Sequence, residues 1–252
     1  MSNNPAPGNP KAKKKKSLLN AKTPFVITEA YKTARTNLMF ALATSEKKIV
    51  VITSSNPSEG KSTTCSNMAL TFAGMGASTL IIDADLRKPT IHKLFGLPNK
   101  LGLSSTLGGF NKIDEAILYN VEENLDVITS GPIPPNPADL LASDLMDNLL
   151  RALSKHYDYI LIDTPPINVV TDSQLMNNIV SGIMFVVWEG VTTHTDISAA
   201  LRSIEMANGR VLGFIKANCN AKGTKSYAKN YNYSYGRKPT AKNIVKVVNY
   251  ED

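Results

Sequence analysis

The chain has 252 residues, 42% of them hydrophobic, and a net charge of +7. That length and composition suit one large domain or two small ones with a sizeable core. Cys65 and Cys219 lack the spacing of a metal site or a disulfide framework, which points to a reducing compartment. The longest apolar run, Ile179 to Trp188, is broken by Ser181-Gly182 and is too short to span a bilayer. No stretch carries the successive zones of a signal peptide.

The positive charge sits at the two ends. Residues 1–22 hold six lysines and no acid, and residues 221–252 hold seven Lys/Arg against Glu251 and Asp252, so the middle of the chain is net acidic. The body therefore does not read as a nucleic-acid surface, and no nucleic-acid partner is expected. Residues 1–22, rich in Asn, Pro and Lys with almost nothing to bury, read as a disordered basic segment.

Taken in order, Pro24 to Leu42 has a helical stripe of Ala30, Ala34, Leu38 and Ala41. Glu29, Lys32 and Arg35 share one face at spacing three; they form either an ordinary solvated face or a grip on a second subunit. Strands are predicted near 48–53, 79–83, 125–129, 158–163, 182–188 and 211–217. Helices are predicted near 61–75, 112–118, 138–155, 171–179 and 195–207, with Gly96 to Gly109 a loop over the strand ends. Such alternation predicts an α/β fold of P-loop NTPase type over residues 23–220, a mostly parallel sheet with helices on both faces. Residues 221–252 read as a flexible tail. It holds Tyr227, Tyr231, Tyr233 and Tyr235 among Lys, Asn, Ser and Gly, with no aliphatic residue between Ala221 and Ala241 except Ala228.

Residues 54–64, S-S-N-P-S-E-G-K-S-T-T, join the apolar run Ile49 to Ile52 to the helix that begins near Lys61. A strand, a small-residue turn and a helix N-terminus in this order form a phosphate cradle from backbone N–H groups and the helix dipole. Ser58, Glu59, Gly60, Lys61, Ser62 and Thr63 are its candidate nucleotide-binding residues. Gly60 permits close backbone approach, Lys61 reaches the β- and γ-phosphates, and the Ser62 hydroxyl is placed for Mg²⁺. The usual G-x-x-x-x-G-K-[ST] spacing holds except that Ser55 stands for the first Gly. Asp83 and Asp85 follow one apolar strand and Asp163 follows another. Ligands of open α/β sheets bind outside the carboxyl ends of strands, so the three acids can converge on the Ser62 metal. Phosphoryl transfer from Mg-ATP needs that set.

The motifs P-S-E-G-K-S, I-I-D-A-D-L-R-K-P and I-L-I-D-T-P-P, the N-terminal E-A-Y-K-T-A-R and the tyrosine cluster occur in this order between residues 29 and 235. Together they resemble the bacterial tyrosine kinases of capsule and exopolysaccharide systems, which are built on a P-loop ATPase fold. The resemblance implies ATP and Mg²⁺ as cofactors, Lys61, Asp83 and Asp85 as catalytic residues, and Ser62, Asp83 and Asp163 around the metal. Asp83 is the leading candidate to activate the acceptor hydroxyl, and Asn218 would lie near the adenine. It implies Tyr227, Tyr231, Tyr233 and Tyr235 as phosphoacceptors modified in trans within a ring-like homo-oligomer gripped through Glu29, Lys32 and Arg35. It further implies activation by the cytoplasmic end of a transmembrane adaptor, a cognate phosphotyrosine phosphatase, and a cytoplasmic location at the inner face of the membrane. From Ala217 to Tyr235 an extended chain spans up to ~60 Å, enough to leave a core roughly 40 Å across and enter a neighbour's site.

Three positions depart from the family pattern. Ser58 stands where Gly is usual, Lys32 where Arg is usual, and Trp188-Glu189 where a basic residue is expected. The nearest alternative is an ATPase of the plasmid-partition and cell-division-site type. Those proteins carry a signature lysine at the position of Asn56 and lack a tyrosine-rich tail.

Overall fold

The structure, a computed structural model, describes residues 17–219 and the backbone of residues 244–248. Its strands are β1 (Ile49–Ser54), β2 (Thr79–Asp83), β3 (Ile117–Glu122), β4 (Leu125–Ile128), β5 (Tyr159–Asp163), β6 (Gly182–Trp188), β7 (Val211–Cys219) and β8 (Ile244–Val248). They form one sheet in the order β3-β4-β2-β5-β1-β6-β7-β8. The pairings from β4 to β7 are parallel, while β3 and β8 lie antiparallel at the two edges.

The helices are α1 (Phe25–Ala41), α2 (Lys61–Ala73), α3 (Ile91–Phe95), α4 (Leu103–Leu107), α5 (Ile113–Ala116), α6 (Pro137–Leu141), α7 (Asp144–Leu153) and α8 (His194–Met206). Every residue of β1, β2 and β5 is buried, as befits strands covered on both faces. The period of two divides their side chains between two cores. Val50, Ile52, Ile81, Leu161, Met184 and Val186 pack with Leu38 of α1 and Met68 and Phe72 of α2. Ile49, Val51, Leu80, Ile82, Ile160, Ile162 and Phe185 pack with Leu150 of α7 and Ile204 of α8. The P-loop NTPase-like fold expected from the sequence is the fold observed. No helix among the described residues is long and apolar enough to cross a membrane.

Several elements differ from expectation. The helix predicted at 138–155 is two, α6 and α7, because Ser143 takes an extended conformation and its side chain accepts from the Met146 N–H, opening a new helix. The helix predicted at 171–179 contains only a short 3₁₀ turn, Asp172–Gln174, among turns. The helix predicted at 112–118 stops at Ala116, and the chain turns into β3, which pairs back onto β4. The loop predicted at Gly96 to Gly109 contains α4. A Cβ on Gly102, at the start of α4, would lie 2.2 Å from the Thr129 carbonyl, so only glycine lets this turn close onto the β4 end.

Both ends of the domain also differ. Leu18 is fully buried in the core with α1 and α2, although residues 1–22 read as disordered. The Asn67 amide secures it, accepting from the Leu19 N–H at 2.9 Å and donating to the Ser17 carbonyl at 3.1 Å. Residues 244–248, assigned to the flexible tail, form β8 against β7. The phosphoacceptor tyrosines, Tyr227, Tyr231, Tyr233 and Tyr235, lie outside the described residues.

Candidate active site

β1, the most central strand, delivers the loop Ser55–Gly60 to the N-terminus of α2. Gly60 has a φ of 81° and caps the helix, a conformation open to glycine at little cost. Ser58 has a φ of 66°, which explains why glycine is the usual residue there: a serine in the left-handed region costs about 1 kcal/mol. Ser55 shows no positive φ, so its departure from glycine needs no strained backbone.

Lys61 and Ser62 open α2 and are buried. The Lys61 Nζ donates to Asp85 Oδ2 at 2.9 Å, lies 3.3 Å from the Ser62 Oγ, and is 3.8 Å from Asp163 Oδ1. Burial works against its charge, but Asp163 and Asp85 outweigh burial and hold Lys61 above the usual lysine range. Asp163, at the end of β5, is fully buried and neither carboxylate oxygen accepts a hydrogen bond. Burial raises it to about 6 against the opposing effects of Lys61 and the nearby Ser62 hydroxyl. Asp83, at the end of β2 and in register with Asp163, is raised to about 8, chiefly by burial and then by the Asp163 charge.

These three acids therefore play different parts. Asp85 lines the cleft beside the P-loop. Asp83 lies behind it with both oxygens engaged by backbone. Its Oδ1 accepts from the Asp85 N–H at 3.3 Å, and its Oδ2 accepts from the Thr90 and Ile91 N–H groups at 3.1 and 3.0 Å. Asp83 thus shapes the loop that presents Asp85, a structural role the sequence reading did not give it. The orphaned Asp163 carboxylate beside the Ser62 hydroxyl is the observation that fits a divalent cation. No group of three His, Cys, Asp or Glu among the described residues could hold a metal alone. Mg²⁺ takes one or two protein oxygens and completes its shell with phosphates and water, and the Ser62 hydroxyl and Asp163 carboxylate are oxygen donors of that kind.

The cleft, about 530 Å³, is lined by the P-loop residues Pro57, Ser58, Gly60, Lys61, Ser62 and Thr63 on one side. Arg87, Lys88 and Thr90 follow Asp85 along another side, and Pro165, Pro166, Val169, Val170 and Trp188 form an apolar wall. Glu59 does not face it. Its carboxylate is buried, accepting the Asn56 N–H at 2.9 Å and the Thr192 hydroxyl at 2.7 Å, so it shapes the loop from behind. Asn218 has a φ of 59° and is half-buried at the end of β7, but it is not among the lining residues.

Sequence reasoning missed three contributors. Trp188 lies against the P-loop so closely that a Cβ on Gly60 would stand 2.9 Å from its ring. Thr192 accepts the Trp188 N–H at 2.8 Å and donates its hydroxyl hydrogen bond to Glu59 at 2.7 Å, tying the β6–α8 turn to the loop. Arg87 donates to both oxygens of buried Asp172, at 2.9 and 3.2 Å, joining the loop after β2 to the turn after β5. The sequence offered one signal, the Trp188-Glu189 pair at a position expected to be basic.

On α1, Lys32 and Glu29 pair with each other at 2.8 Å on the exposed surface. Arg35 is half-buried and donates to the Thr71 carbonyl at 2.7 Å, anchoring α1 to α2.

A family model described as an AAA domain matches residues 47–187. The chain is 44% identical over 188 residues to the tyrosine-protein kinase YwqD of Bacillus subtilis, covering 75% of this chain and 79% of that protein. The crystal structure of the chimerical protein CapA2B2 superposes with a TM-score of 0.75 at 39% identity, covering 81% of this chain and 91% of that one. The kinase domain of the Escherichia coli tyrosine kinase ETK gives 0.73 at 35% identity, covering 75% and 74%. The cell division ATPase MinD of Pyrococcus furiosus, at 22% identity and a TM-score of 0.56, shares the fold alone. A P-loop followed by three strand-end acids, in a chain this similar to YwqD over most of both lengths, belongs to the bacterial tyrosine-protein kinases.

Proposed function

We propose that this chain transfers the γ-phosphoryl group of ATP to Tyr227, Tyr231, Tyr233 and Tyr235 of a second copy of itself, and that it does so in the regulation of capsule or exopolysaccharide synthesis and export. The observation that carries the reading is the buried Lys61 on the cleft, paired with Asp85 at 2.9 Å and with the fully buried Asp163 at 3.8 Å. Lys61 and the P-loop N–H groups bind the phosphates, and Lys61 offsets charge developing on the transferred group. Ser62 and Asp163 would hold Mg²⁺, and the bound ion would supply positive charge to offset that of the phosphates. The acceptor hydroxyl gives up its proton to Asp85, which lines the cleft, while Asp83 holds the loop that presents Asp85. The wall of Pro165, Pro166 and Trp188 restricts water, which favours the phenol over hydrolysis.

Several wider properties follow from the same reading. The chain works as a homo-oligomer, ring-shaped and contacting through the α1 face of Glu29 and Lys32. It is activated by the cytoplasmic end of a transmembrane adaptor, reset by a phosphotyrosine phosphatase, and held at the inner face of the cell membrane through the adaptor. Nucleic acid is not a partner, in keeping with the acidic middle of the chain. The alternative, a partition-type ATPase, has no support from the α2 approach: Asn56 stands where those proteins carry their lysine, and the backbone N–H of Asn56 is engaged by Glu59.

The test is mass spectrometry of the purified protein after incubation with Mg-ATP. Phosphate is expected on the C-terminal tyrosines of the wild type and on none in Lys61→Met, with circular dichroism unchanged. Release of free phosphate with no modified tyrosine, even with the activator present, would overturn the reading.

A further inference from the structure

Beside the P-loop cleft is a second cavity of about 660 Å³, lined by Arg87, Lys88, Pro89, Thr90, His92, Lys93, Asn99, Gly131, Pro132 and Ile133. Arg87, Lys88 and Thr90 line both, so the two are adjacent. The lining contains four basic side chains and no carboxylate, in a part of the chain that is net acidic. Arg87 is engaged by Asp172, whereas Lys88 and Lys93 form no ion pair with a described residue and are exposed. His92 Nδ1 is buried without a hydrogen-bond partner. Asn99 braces the opposite wall, its amide donating to the Gly131 carbonyl and accepting the Gly131 N–H, each at 2.9 Å. A cavity with two exposed lysines and a buried, unpartnered histidine nitrogen therefore lies beside the P-loop cleft.

We propose that this cavity binds the phosphate of a phosphotyrosine already formed on the C-terminal segment, and so retains that segment while a further tyrosine is modified. The inference rests on the kinase reading above and adds a product-binding site to it. Charge selects the occupant. Residues 221–250 contain no Asp or Glu, so the unmodified segment is repelled by Lys88 and Lys93, while His92, whose pKa is lowered by burial and by Lys93, offers a hydrogen bond rather than a charge. Each phosphorylation adds roughly −1.5 to −2 charges and three strong acceptor oxygens, which is the only way this segment can satisfy the pocket. Spacing agrees as well. Tyr231, Tyr233 and Tyr235 alternate, and in an extended chain residues two apart lie ~7 Å from each other on the same side, so one modified tyrosine is always close to the next acceptor. The consequence is that one bound segment gains several phosphates before it leaves.

His92 and Lys93 line only the second cavity, which makes them the positions to change. Binding of two peptides spanning residues 224–238, one unmodified and one phosphorylated at Tyr233, is measured by fluorescence anisotropy on the full-length wild type and on His92→Gln/Lys93→Ser, without ATP. The phosphopeptide is expected to bind the wild type about tenfold more tightly than the unmodified one, through charge-assisted hydrogen bonds, and the double variant should lose that preference. Equal binding of the two peptides, or a preference that survives in the variant, would overturn the proposal. So would inorganic phosphate that displaced the phosphopeptide at equal concentration, which would mark a simple anion site. In a time course of intact mass with Mg-ATP, wild-type chains should gain several phosphates while unmodified chains persist. The variant should accumulate singly modified chains with an unchanged first step, and identical distributions would count against retention. If neither protein gained phosphate, the kinase reading would fail, and the peptide measurement would still decide the pocket.

Discussion

Gly60 joins local geometry to ligand binding at a single position. Its φ of 81° and the 2.9 Å that a Cβ would leave to the Trp188 ring exclude any side chain there. Gly60→Ala should weaken Mg-ADP binding at least tenfold by calorimetry, for strain and clash combined cost about 1.4 kcal/mol or more. Trp188→Leu in the same chain should restore part of it. Trp188 is the chain's single tryptophan, so its emission should change on nucleotide binding and be silent in Lys61→Met.

The buried acids make a second residue-scale prediction. Asp83 at about 8 and Asp163 at about 6 both stand above the ordinary value of 3.8, so the native state binds more protons than the unfolded one between those limits. Stability of the metal-free protein should therefore fall as pH rises from about 4 to about 8. Urea denaturation at about pH 5 and about pH 8.5 measures it, and Asp83→Asn should flatten the difference because it removes the titrating group, while losing stability at both pH values because one of the two accepting oxygens becomes an NH₂ donor.

At the scale of elements, the β6–α8 turn is coupled to the P-loop through Thr192 and Glu59. Thr192→Val removes the hydroxyl that Glu59 accepts and leaves a buried carboxylate oxygen unpaired. A loss of about 1–3 kcal/mol is expected in chemical denaturation, with weaker nucleotide binding because the loop loses its support. An unchanged midpoint would show that the turn and the loop are independent. Much of this level was legible beforehand. The apolar runs of β1, β2, β5 and β6 are strands because they are covered on both faces, and their order along the chain announced a parallel sheet. The misreadings came where a polar side chain redirects the backbone: Ser143 splits α6 from α7, and Asp172 is engaged by Arg87 in a 3₁₀ turn. Such choices depend on partners distant in sequence, and periodicity does not see them.

For the whole molecule, the α1 face separates into two roles. Glu29 and Lys32 are exposed and, among the described residues, form an ion pair with each other alone, whereas Arg35 holds α1 to α2. Glu29→Ala should weaken self-association in sedimentation velocity with little change in stability, since exposed pairs contribute about 1 kcal/mol or less. Arg35→Ala should lower stability as well. Assembly unaffected by Glu29→Ala would remove this face from the subunit contact. The pairing of β8 with β7 also bears on delivery of the tyrosines. Residues 220–243 connect two paired strands, so their greatest reach from the sheet edge is about 40 Å, less than a free end would have but enough to approach an adjacent subunit.

Sequence alone determined the sheet class, the phosphate loop and the set of three acids, because strand periodicity and the Gly-Lys-Ser turn are local properties of consecutive residues. Tertiary structure decided how those acids divide their work. Asp83 is engaged by backbone amides, Asp85 faces the cleft and Asp163 has only the longer ion pair with Lys61 among the described residues, all three at strand ends with the same local pattern. Burial and the direction of neighbouring N–H groups distinguish them, and both arise only when β2, β5 and the P-loop are brought side by side. The same holds for Trp188, Thr192 and the basic cavity at His92 and Lys93, whose members come from segments that meet only in the folded chain.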